Sequence, residues 1–270
     1  MRRVLGLVAA FVRRDLLVDF SYRGSSLFTV AGALFSLWSL YFLGRTFGNS
    51  SPLLAVSGGD YFRFALVGIA FSVPLRGGMA GVSRRVRELQ LFGGLESLVS
   101  SPVPPFGSIV LVALYPLLSA AVRGGLLFAL GVLVFGAQFP QANYLWACVA
   151  LGLGMAAYLA FGIVSAAFVV VFKRGDPVAW ALDALTFLVS GIIYPVEVLP
   201  RLLHPVAALV PATHALAALR QALLQGAGLA EIAPSLRSLL LFCGLLLPAS
   251  ALVLRAALRK AARDGTLGQV

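Results

Sequence analysis

The sequence predicts an all-α integral membrane protein, because of its composition and the way its apolar residues cluster. Of the 270 residues, 60% are hydrophobic and only 11% are charged, whereas about a quarter of the residues in soluble domains are charged. The apolar residues also gather into runs of the roughly 20 residues that a helix needs to cross a bilayer. These observations exclude a soluble globular domain, and the high hydrophobicity excludes a disordered chain.

Six runs are predicted to cross the membrane within a single transmembrane domain, 1–270. Residues 1–24 contain an apolar stretch that is too short to cross and is interrupted by Arg13 and Arg14, so they are predicted to form a helix along the interface. The third run is longer than a bilayer needs and contains Pro116, so we expect a kink or an interfacial piece within it. The six runs are residues 25–44, 62–82, 106–136, 145–172, 178–194 and 236–257.

The charge distribution predicts that both termini are cytoplasmic. The chain has 21 Lys and Arg against 10 Asp and Glu, a formal net charge of +11. Because cytoplasmic loops carry the excess of Lys and Arg, we expect a multi-pass protein of the cytoplasmic (inner) membrane. The positive net charge is then mostly a matter of topology, so the lipid bilayer and not a nucleic acid is the expected partner. Fourteen of the 21 lie before residue 25 and at 83–105, 173–174 and 255–263, whereas the alternate connections hold only Arg45, Arg201 and Arg220.

Three ionisable residues inside the predicted spans are candidates for function, namely Asp183, Arg76 and Arg123. Intramembrane charges are costly and are functional candidates by default. Asp183 has a competing interpretation as a helix-packing or cytoplasmic-end residue, which we favour. Arg76 lies close enough to a cytoplasmic end to reach the interface, whereas Arg123 lies deeper and needs a partner or water. No metal site is expected, because His204 and His214 have no nearby Cys or acidic cluster.

The first cytoplasmic loop, 83–105, is predicted to hold a short amphipathic helix. The preceding span can continue into the cytosol until Gly93 and Gly94 break it, and Pro102 stops the second helix. Apolar side chains at positions i, i+3 and i+4 give this second helix one apolar face, with a carboxylate beside it. Such a face indicates a protein partner, and a helix lying on lipid is the alternative. The apolar face is Leu95, Leu98 and Val99, and the carboxylate is Glu96.

The segment at 195–235 is predicted to be an outer helical segment, because four prolines prevent its apolar pieces from crossing as one helix. From Thr213 a helix is predicted to run until Gly226 ends it. Its leucines share one face, and Arg220 lies with the polar side chains away from that face. The pattern favours a helical hairpin or re-entrant pair in the outer leaflet, with an amphipathic surface loop as the alternative. The prolines are Pro195, Pro200, Pro205 and Pro211, and the leucines are Leu216, Leu219, Leu223 and Leu224.

Two groups of motifs occur in a fixed order along the chain. The cytoplasmic group is Arg85-x-Arg87-Glu88, then Gly94-Leu95-Glu96-Ser97-Leu98 and Ser101-Pro102-Val103. The outer group is Ser190-Gly191-Ile192-Ile193-Tyr194-Pro195, then Leu199-Pro200, Pro211 and Ala218-Leu219-Arg220. In this order and spacing, and within six spans, the chain resembles the type-two permeases of ATP-binding-cassette (ABC) exporters over nearly its whole length.

The resemblance implies a permease that works with separate ATPase subunits. It implies an N-terminal interfacial helix, a coupling helix in the first cytoplasmic loop, and two permease subunits that face each other above two nucleotide-binding subunits. We expect the second permease subunit to be identical to the first. The residues that would couple to the ATPase are Gly94, Leu95, Glu96, Leu98 and Val99, with Arg87 and Glu88 before them.

The lysines of the chain exclude one common ATP-binding motif. There are two, Lys173 followed by Arg and Lys260 followed by Ala, so the phosphate loop Gly-x-x-x-x-Gly-Lys-Ser/Thr cannot occur. ATP and Mg²⁺ are therefore expected on the partner subunit, and no cofactor is expected on this chain.

The function predicted from these observations is export and not catalysis. The permease would move an amphiphilic, lipid or glycan substrate out of the cytoplasm or the inner leaflet by alternating access, powered by the separate ATPase. A secondary transporter without an ATPase is the first alternative, but it needs a coupling-ion site for which Asp183 is the sole candidate. An intramembrane enzyme is the second alternative. It needs catalytic groups that face each other within the membrane, whereas both histidines lie in the outer segment.

Overall fold

The computed structural model describes residues 23–47, 60–91, 105–172 and 176–264, and this part of the chain consists of helices and connecting loops. Two 3₁₀ turns, Val196–Val198 and Arg201–Leu203, connect the fifth and sixth α-helices. The predicted all-α class is confirmed for these residues. The α-helices of the described part are α1 (Arg23–Phe47), α2 (Tyr61–Leu91), α3 (Pro105–Leu133), α4 (Tyr144–Phe172), α5 (Pro177–Val189), α6 (His204–Ala208), α7 (Pro211–Leu224) and α8 (Leu229–Arg263).

Acidic side chains cap the starts of two long helices. Before α2, the Asp60 carboxylate accepts a hydrogen bond from the backbone N–H of Arg63 at 3.3 Å and pairs with the Arg63 side chain at 2.8 Å. At the start of α8, the Glu231 carboxylate accepts a hydrogen bond from the backbone N–H of Gly228 at 3.1 Å. Both contacts satisfy N–H groups that have no partner within the first turn of a helix.

The centre of the helix bundle is formed by α2 and α4. Helix α2 packs against α3 and α4, and α4 packs in turn against α7 and α8. One apolar cluster joins α2, α4, α5, α7 and α8. A second cluster joins the C-terminal parts of α2, α4 and α8 to the start of α3, and a third joins α1 to α2. Burial of these apolar side chains holds the bundle together.

Small residues let α2 and α3 approach each other closely. A Cβ atom on Gly81 would lie 2.6 Å from the Cβ of Pro116, so only glycine fits there. Close approach of a neighbouring helix at a glycine is typical of helices that pack within membranes. Pro116 lies inside α3 without ending it, so the predicted run at 106–136 is one helix that stops at Leu133.

Hydrogen bonds place the loops at the two ends of the bundle. At one end, the backbone N–H of Asn143 donates to the carbonyl of Ala222 at 2.8 Å, and the Asn143 side chain donates to the carbonyl of Ala227 at 3.4 Å. The loop before α4 therefore touches the loop before α8. At the opposite end of α4, the Gln90 side chain donates to the carbonyl of Val170 at 3.4 Å.

Within the described residues, four helices are long and apolar enough to cross a membrane, which makes the chain a multi-pass membrane protein. A fifth crossing results if α7 and the short helical piece before it, which are bent by 89° relative to each other, form one broken span. Helix α1 covers the run predicted at 25–44, and the total of six crossings stays a prediction. The interfacial helix predicted at 1–24 lies almost wholly outside the described residues. The four helices are Tyr61–Leu91, Phe106–Leu133, Tyr144–Phe172 and Leu229–Arg263.

Two predicted spans have different extents in the structure. The run at 178–194 forms α5, which has 13 residues and ends at Val189. At 1.5 Å per residue it is about 20 Å long, which is less than the roughly 30 Å of the hydrocarbon core. The run at 236–257 forms α8, which has 35 residues and begins at Leu229, inside the predicted outer segment. The predicted limits followed the apolar residues alone, and the helix continues through the polar residues at both ends.

Candidate functional site

Short helix α5 is attached to its neighbours through polar side chains, starting at its first turn. Asp176 is the N-cap of α5, and its carboxylate accepts a hydrogen bond from the backbone N–H of Ala179 at 2.9 Å. The hydroxyl of Ser165 on α4 donates to the same carboxylate oxygen. Pro177 occupies the first helical position, where its missing N–H costs nothing. One carboxylate therefore both starts α5 and ties it to α4.

The central contact of the site is an ion pair between Arg76 on α2 and Asp183 on α5. Both carboxylate oxygens accept from the guanidinium, one from Nε and the other from Nη2 at 2.5 Å. The side chains are 27% and 39% exposed. The Phe187 ring lies one turn further along α5, with its centroid 5.3 Å from Cζ of Arg76. The two parallel hydrogen bonds use the planar fork of arginine and fix the orientation of both side chains.

A third polar contact lies next to the ion pair. Tyr158 on α4 and Thr186 on α5 share a hydrogen bond of 2.5 Å between their hydroxyl groups, and both side chains are buried. Thr186 lies three residues after Asp183, so both project from the same face of α5. The three contacts at Asp176, Asp183 and Thr186 define what we call the α5 polar seam. Elsewhere on α5, Trp180 is 75% exposed and Leu188 is 54% exposed.

The structure therefore brings together two of the three intramembrane candidates. Arg76 and Asp183 pair, as the favoured helix-packing interpretation of Asp183 requires. Arg123 lies elsewhere, on an exposed face of α3, where its Nη2 is 3.4 Å from the hydroxyl oxygen of Ser119, one turn earlier in the same helix.

The predicted coupling region is described only in part. The last turns of α2 continue into the predicted cytoplasmic loop up to Leu91. There Glu88 pairs with Arg85 at 2.7 Å within the same helix, and Arg87 is half-buried. The remaining predicted coupling residues, Gly94, Leu95, Glu96, Leu98 and Val99, lie outside the described residues.

Arg220 on α7 has a position that the sequence analysis did not foresee. The prediction placed it on the polar face, away from the bundle. In the structure its guanidinium lies over the Phe64 ring of α2, with 3.5 Å between Cζ and the ring centroid, and its Nη2 donates to the carbonyl of Ile192 at 3.0 Å. The prediction was wrong because cation–π attraction and a free backbone carbonyl satisfy the arginine inside the bundle.

Gly68 on α2 makes this arrangement possible. A Cβ atom at residue 68 would lie 1.9 Å from the carbonyl oxygen of Ile192 and 2.6 Å from Nη2 of Arg220. The loop after α5 therefore contacts the bare backbone of α2. Gly191 in that loop has a φ of +72°, which favours glycine. The sequence contains no local signal for this contact, because it joins residues far apart in the chain.

The geometry defines a class of protein before any comparison is made. It is a helical multi-pass membrane protein in which the Arg76 guanidinium bonds both carboxylate oxygens of Asp183, an arrangement suited to orienting helices. Among known families, the model for the ABC-2 type transporter matches residues 7–224. The chain belongs to the ABC-2 type transporter family, whose membrane domain is a transport component and not a catalyst. The resemblance to ABC permeases is thus confirmed. No curated protein matches the chain.

Proposed function

We propose that this chain is the permease subunit of an ATP-driven ABC exporter, which moves an amphiphilic, lipid or glycan substrate out of the cytoplasm or the inner leaflet. The observation that carries the proposal is the family match over residues 7–224, which includes α1 to α7. ATP and Mg²⁺ would bind to two copies of a separate ATPase, because the two lysines of this chain exclude a Gly-Lys phosphate loop. Both termini would be cytoplasmic, in the inner membrane.

The coupling step is proposed for the loop between α2 and α3. Closure of the ATPase subunits on ATP would move the helix at 94–101, and this movement would reach the spans through α2, which continues without a break to Leu91. The spans would then switch access from one side of the membrane to the other.

The ion pair argues against the first alternative, a secondary transporter. Such a transporter needs a group that takes up and releases a coupling ion near the middle of the membrane. Asp183 is the carboxylate that the sequence offers there, and the Arg76 guanidinium occupies both of its oxygens. A paired carboxylate in this geometry is a poor site for a proton or sodium ion, because the ion would have to displace the arginine.

A second, identical permease subunit is the proposed partner within the membrane. Its contact would involve the first and fifth spans. This choice follows the resemblance to ABC permeases, and both α1 and α5 carry exposed aromatic and apolar side chains that a second subunit would cover. Native mass measurement of the purified complex would show two permease chains, and a single active permease would contradict the dimer. The exposed side chains include Phe35, Trp38 and Phe42 on α1 and Trp180, Phe187 and Leu188 on α5.

Co-purification tests the function. The full chain with an affinity tag is extracted from membranes of its host in mild detergent, and the proteins that remain bound are identified by mass spectrometry. An ABC ATPase should be retained in equal number to the permease, and the complex should hydrolyse ATP in liposomes. If the purified chain alone moves substrate along an ion gradient across liposomes, without an ATPase, the proposal fails and the secondary transporter stands.

A further inference from the structure

A groove on the surface of the bundle lies outside the α5 polar seam. It has a volume of about 570 Å³ and is formed by three helices, with Phe161 and Val164 from α4, Val178 and Leu182 from α5, and Leu246 and Val253 from α8 among its walls. Ala181 and Ala249 on its rim are exposed, so the groove is open to the surroundings of the protein. Its position beside the first turn of α5 puts it near one membrane surface.

The walls of the groove are apolar. Ser250 is the one lining residue with a side-chain polar atom, and its hydroxyl donates to the carbonyl of Leu247 at 2.8 Å. No lining side chain therefore offers a free hydrogen-bonding group to a ligand. An apolar ligand is the chemistry that such walls favour, because burying a polar group without a partner is costly.

The dimensions of the groove match a single acyl chain better than a protein segment. At about 30 Å³ for a group the size of a water molecule, it holds roughly 19 such groups, which is about the size of one fatty-acid tail. Its extent along α8, from Leu246 to Val253, is about 10 Å, so an acyl chain that fills the groove is bent and not extended. A crossing helix of a partner would instead need contact over the roughly 30 Å of the hydrocarbon core.

A basic residue of α8 lies where the headgroup of such a lipid would be. Lys260 follows Val253 by seven residues, which is two helical turns, so it lies on the same face of α8, about 10 Å beyond the groove. Lys260 is exposed. Asp176 is the acidic residue nearest to this end of α5, and its Oδ1 is already bonded to Ser165 and Ala179.

We infer that this groove binds one acyl chain of an anionic membrane phospholipid, with Lys260 near the phosphate. The inference rests on the proposed orientation, which puts the C-terminal end of α8 at the cytoplasmic surface and makes the lipid one of the inner leaflet. The lipid fills the space between α5 and the α4–α8 pair as a resident component and is not the transported substrate.

Native mass spectrometry of the full chain in detergent tests this inference. The chain is titrated with phosphatidylglycerol or with phosphatidylcholine that carries the same acyl chains, without ATP or ATPase, so the outcome is independent of the proposed export function. One phosphatidylglycerol should be retained in preference to phosphatidylcholine. Lys260→Gln should reduce this preference by about fivefold, the effect expected for one basic residue at an anionic surface, whereas Arg259→Gln on another face should not.

Variants that fill the groove complete the test. Ala249→Phe should abolish retention of the lipid, and Leu252→Phe, on an exposed part of α8 outside the groove, should retain it. Ala181→Phe, from the opposite wall, repeats the test if Ala249→Phe lowers the melting temperature. Equal retention of both lipids by the native chain would overturn the inference. If the variants change the number of permease chains and not the bound lipid, the groove binds a second copy of the chain and the inference is overturned. If the reconstituted complex transfers phosphatidylglycerol in an ATP-dependent manner, the lipid is a substrate and the inference is likewise overturned.

Discussion

Asp183 and Arg76, which are 107 residues apart in the chain, form a two-pronged ion pair that joins the short helix α5 to the central helix α2. The pair is partly exposed, with 27% of the arginine and 39% of the aspartate side chain accessible. Each charge neutralises the other, which lowers the cost that a lone charge would have within the membrane. The pair therefore makes α5 depend on α2 for its position.

Breaking this pair should destabilise the protein. Asp183→Asn leaves Arg76 without its counter-ion, and we expect a loss of about 1–3 kcal/mol, between the roughly 0–1 of exposed pairs and the roughly 3–5 of fully buried ones. Thermal unfolding of the purified chain in detergent measures it. Removing both charges, as in Arg76→Leu with Asp183→Leu, should recover most of the loss.

Arg123→Leu is the matched control for the ion pair, because Arg123 contacts Ser119 on its own helix. It should leave the melting temperature close to that of the native chain. If Asp183→Asn and Arg123→Leu have the same effect, the pair does not hold α5.

Substitution of Gly68 should be harmful although the change is small. In Gly68→Ala the new methyl group would meet the Ile192 carbonyl at 1.9 Å, so the loop after α5 must shift. We expect a loss of about 1–3 kcal/mol, as for other overpacked sites, together with a changed exposure of Arg220. Gly152→Ala is the control, since no heavy atom lies within 4 Å of a Cβ there, and alanine is favoured over glycine in a helix. An unchanged melting temperature for Gly68→Ala would show that this contact is absent.

Reporter fusions test the proposed topology. Fusions after Val270 and at residue 174 should report the cytoplasm, and fusions at 140 and 228 should report the outside, because of the uneven distribution of Lys and Arg. The structure sharpens this test. Asn143 is bonded to the carbonyls of Ala222 and Ala227, so residues 140 and 228 must lie on the same side. A cytoplasmic signal at 228 would remove the six-span arrangement.

The coupling helix has its own test. Leu98→Asp would place an unpaired charge on the apolar face that is proposed to contact the ATPase, at a cost of several kcal/mol to that contact. The complex should weaken or lose the link between substrate and ATP hydrolysis, while the permease still folds. Glu96→Ala should have a milder effect, about 0–1 kcal/mol, if it removes an exposed ion pair. Pull-down of the ATPase and its hydrolysis rate in liposomes measure both variants, and native values for Leu98→Asp would support the alternative of a helix that lies on lipid.

The sequence predicted best what depends on composition and local pattern. The long apolar runs became α2, α3, α4 and α8 because a bilayer forces backbone groups to bond within one helix. It also identified Arg76 and Asp183 as charged candidates within the spans, but it expected Arg76 to reach the interface and assigned the need for a partner to Arg123. It could not join Arg76 to Asp183, because no local rule relates residues on separate helices. The span predicted at 178–194 extends beyond the end of α5 for a similar reason. The loop after Val189 is stabilised by contacts with α2 that only the folded chain reveals.

Arg220 shows the limit of helical periodicity. The pattern of leucines in α7 predicted one apolar face, and of its four members Leu216, Leu219 and Leu223 are buried and Leu224 is half-buried. The same pattern assigned Arg220 to the polar face, although a long side chain can turn inward when an aromatic ring and a carbonyl oxygen are in reach. Those groups belong to Phe64 and Ile192, which lie outside α7 and therefore do not enter its helical pattern.

The apolar cluster at the C-terminal ends of α2, α4 and α8 has a mechanical consequence. Its members come from these three helices and from the start of α3, and none of its described members comes from α5. A displacement of the loop between α2 and α3 would therefore move these four helices together as one rigid unit. Within the described part of the chain, helix α5 shares only the first apolar cluster with these helices and is otherwise attached to them through hydrogen bonds and one ion pair. It would therefore be the part that shifts relative to them, because polar contacts can exchange partners at lower cost than a packed apolar core can be pulled apart.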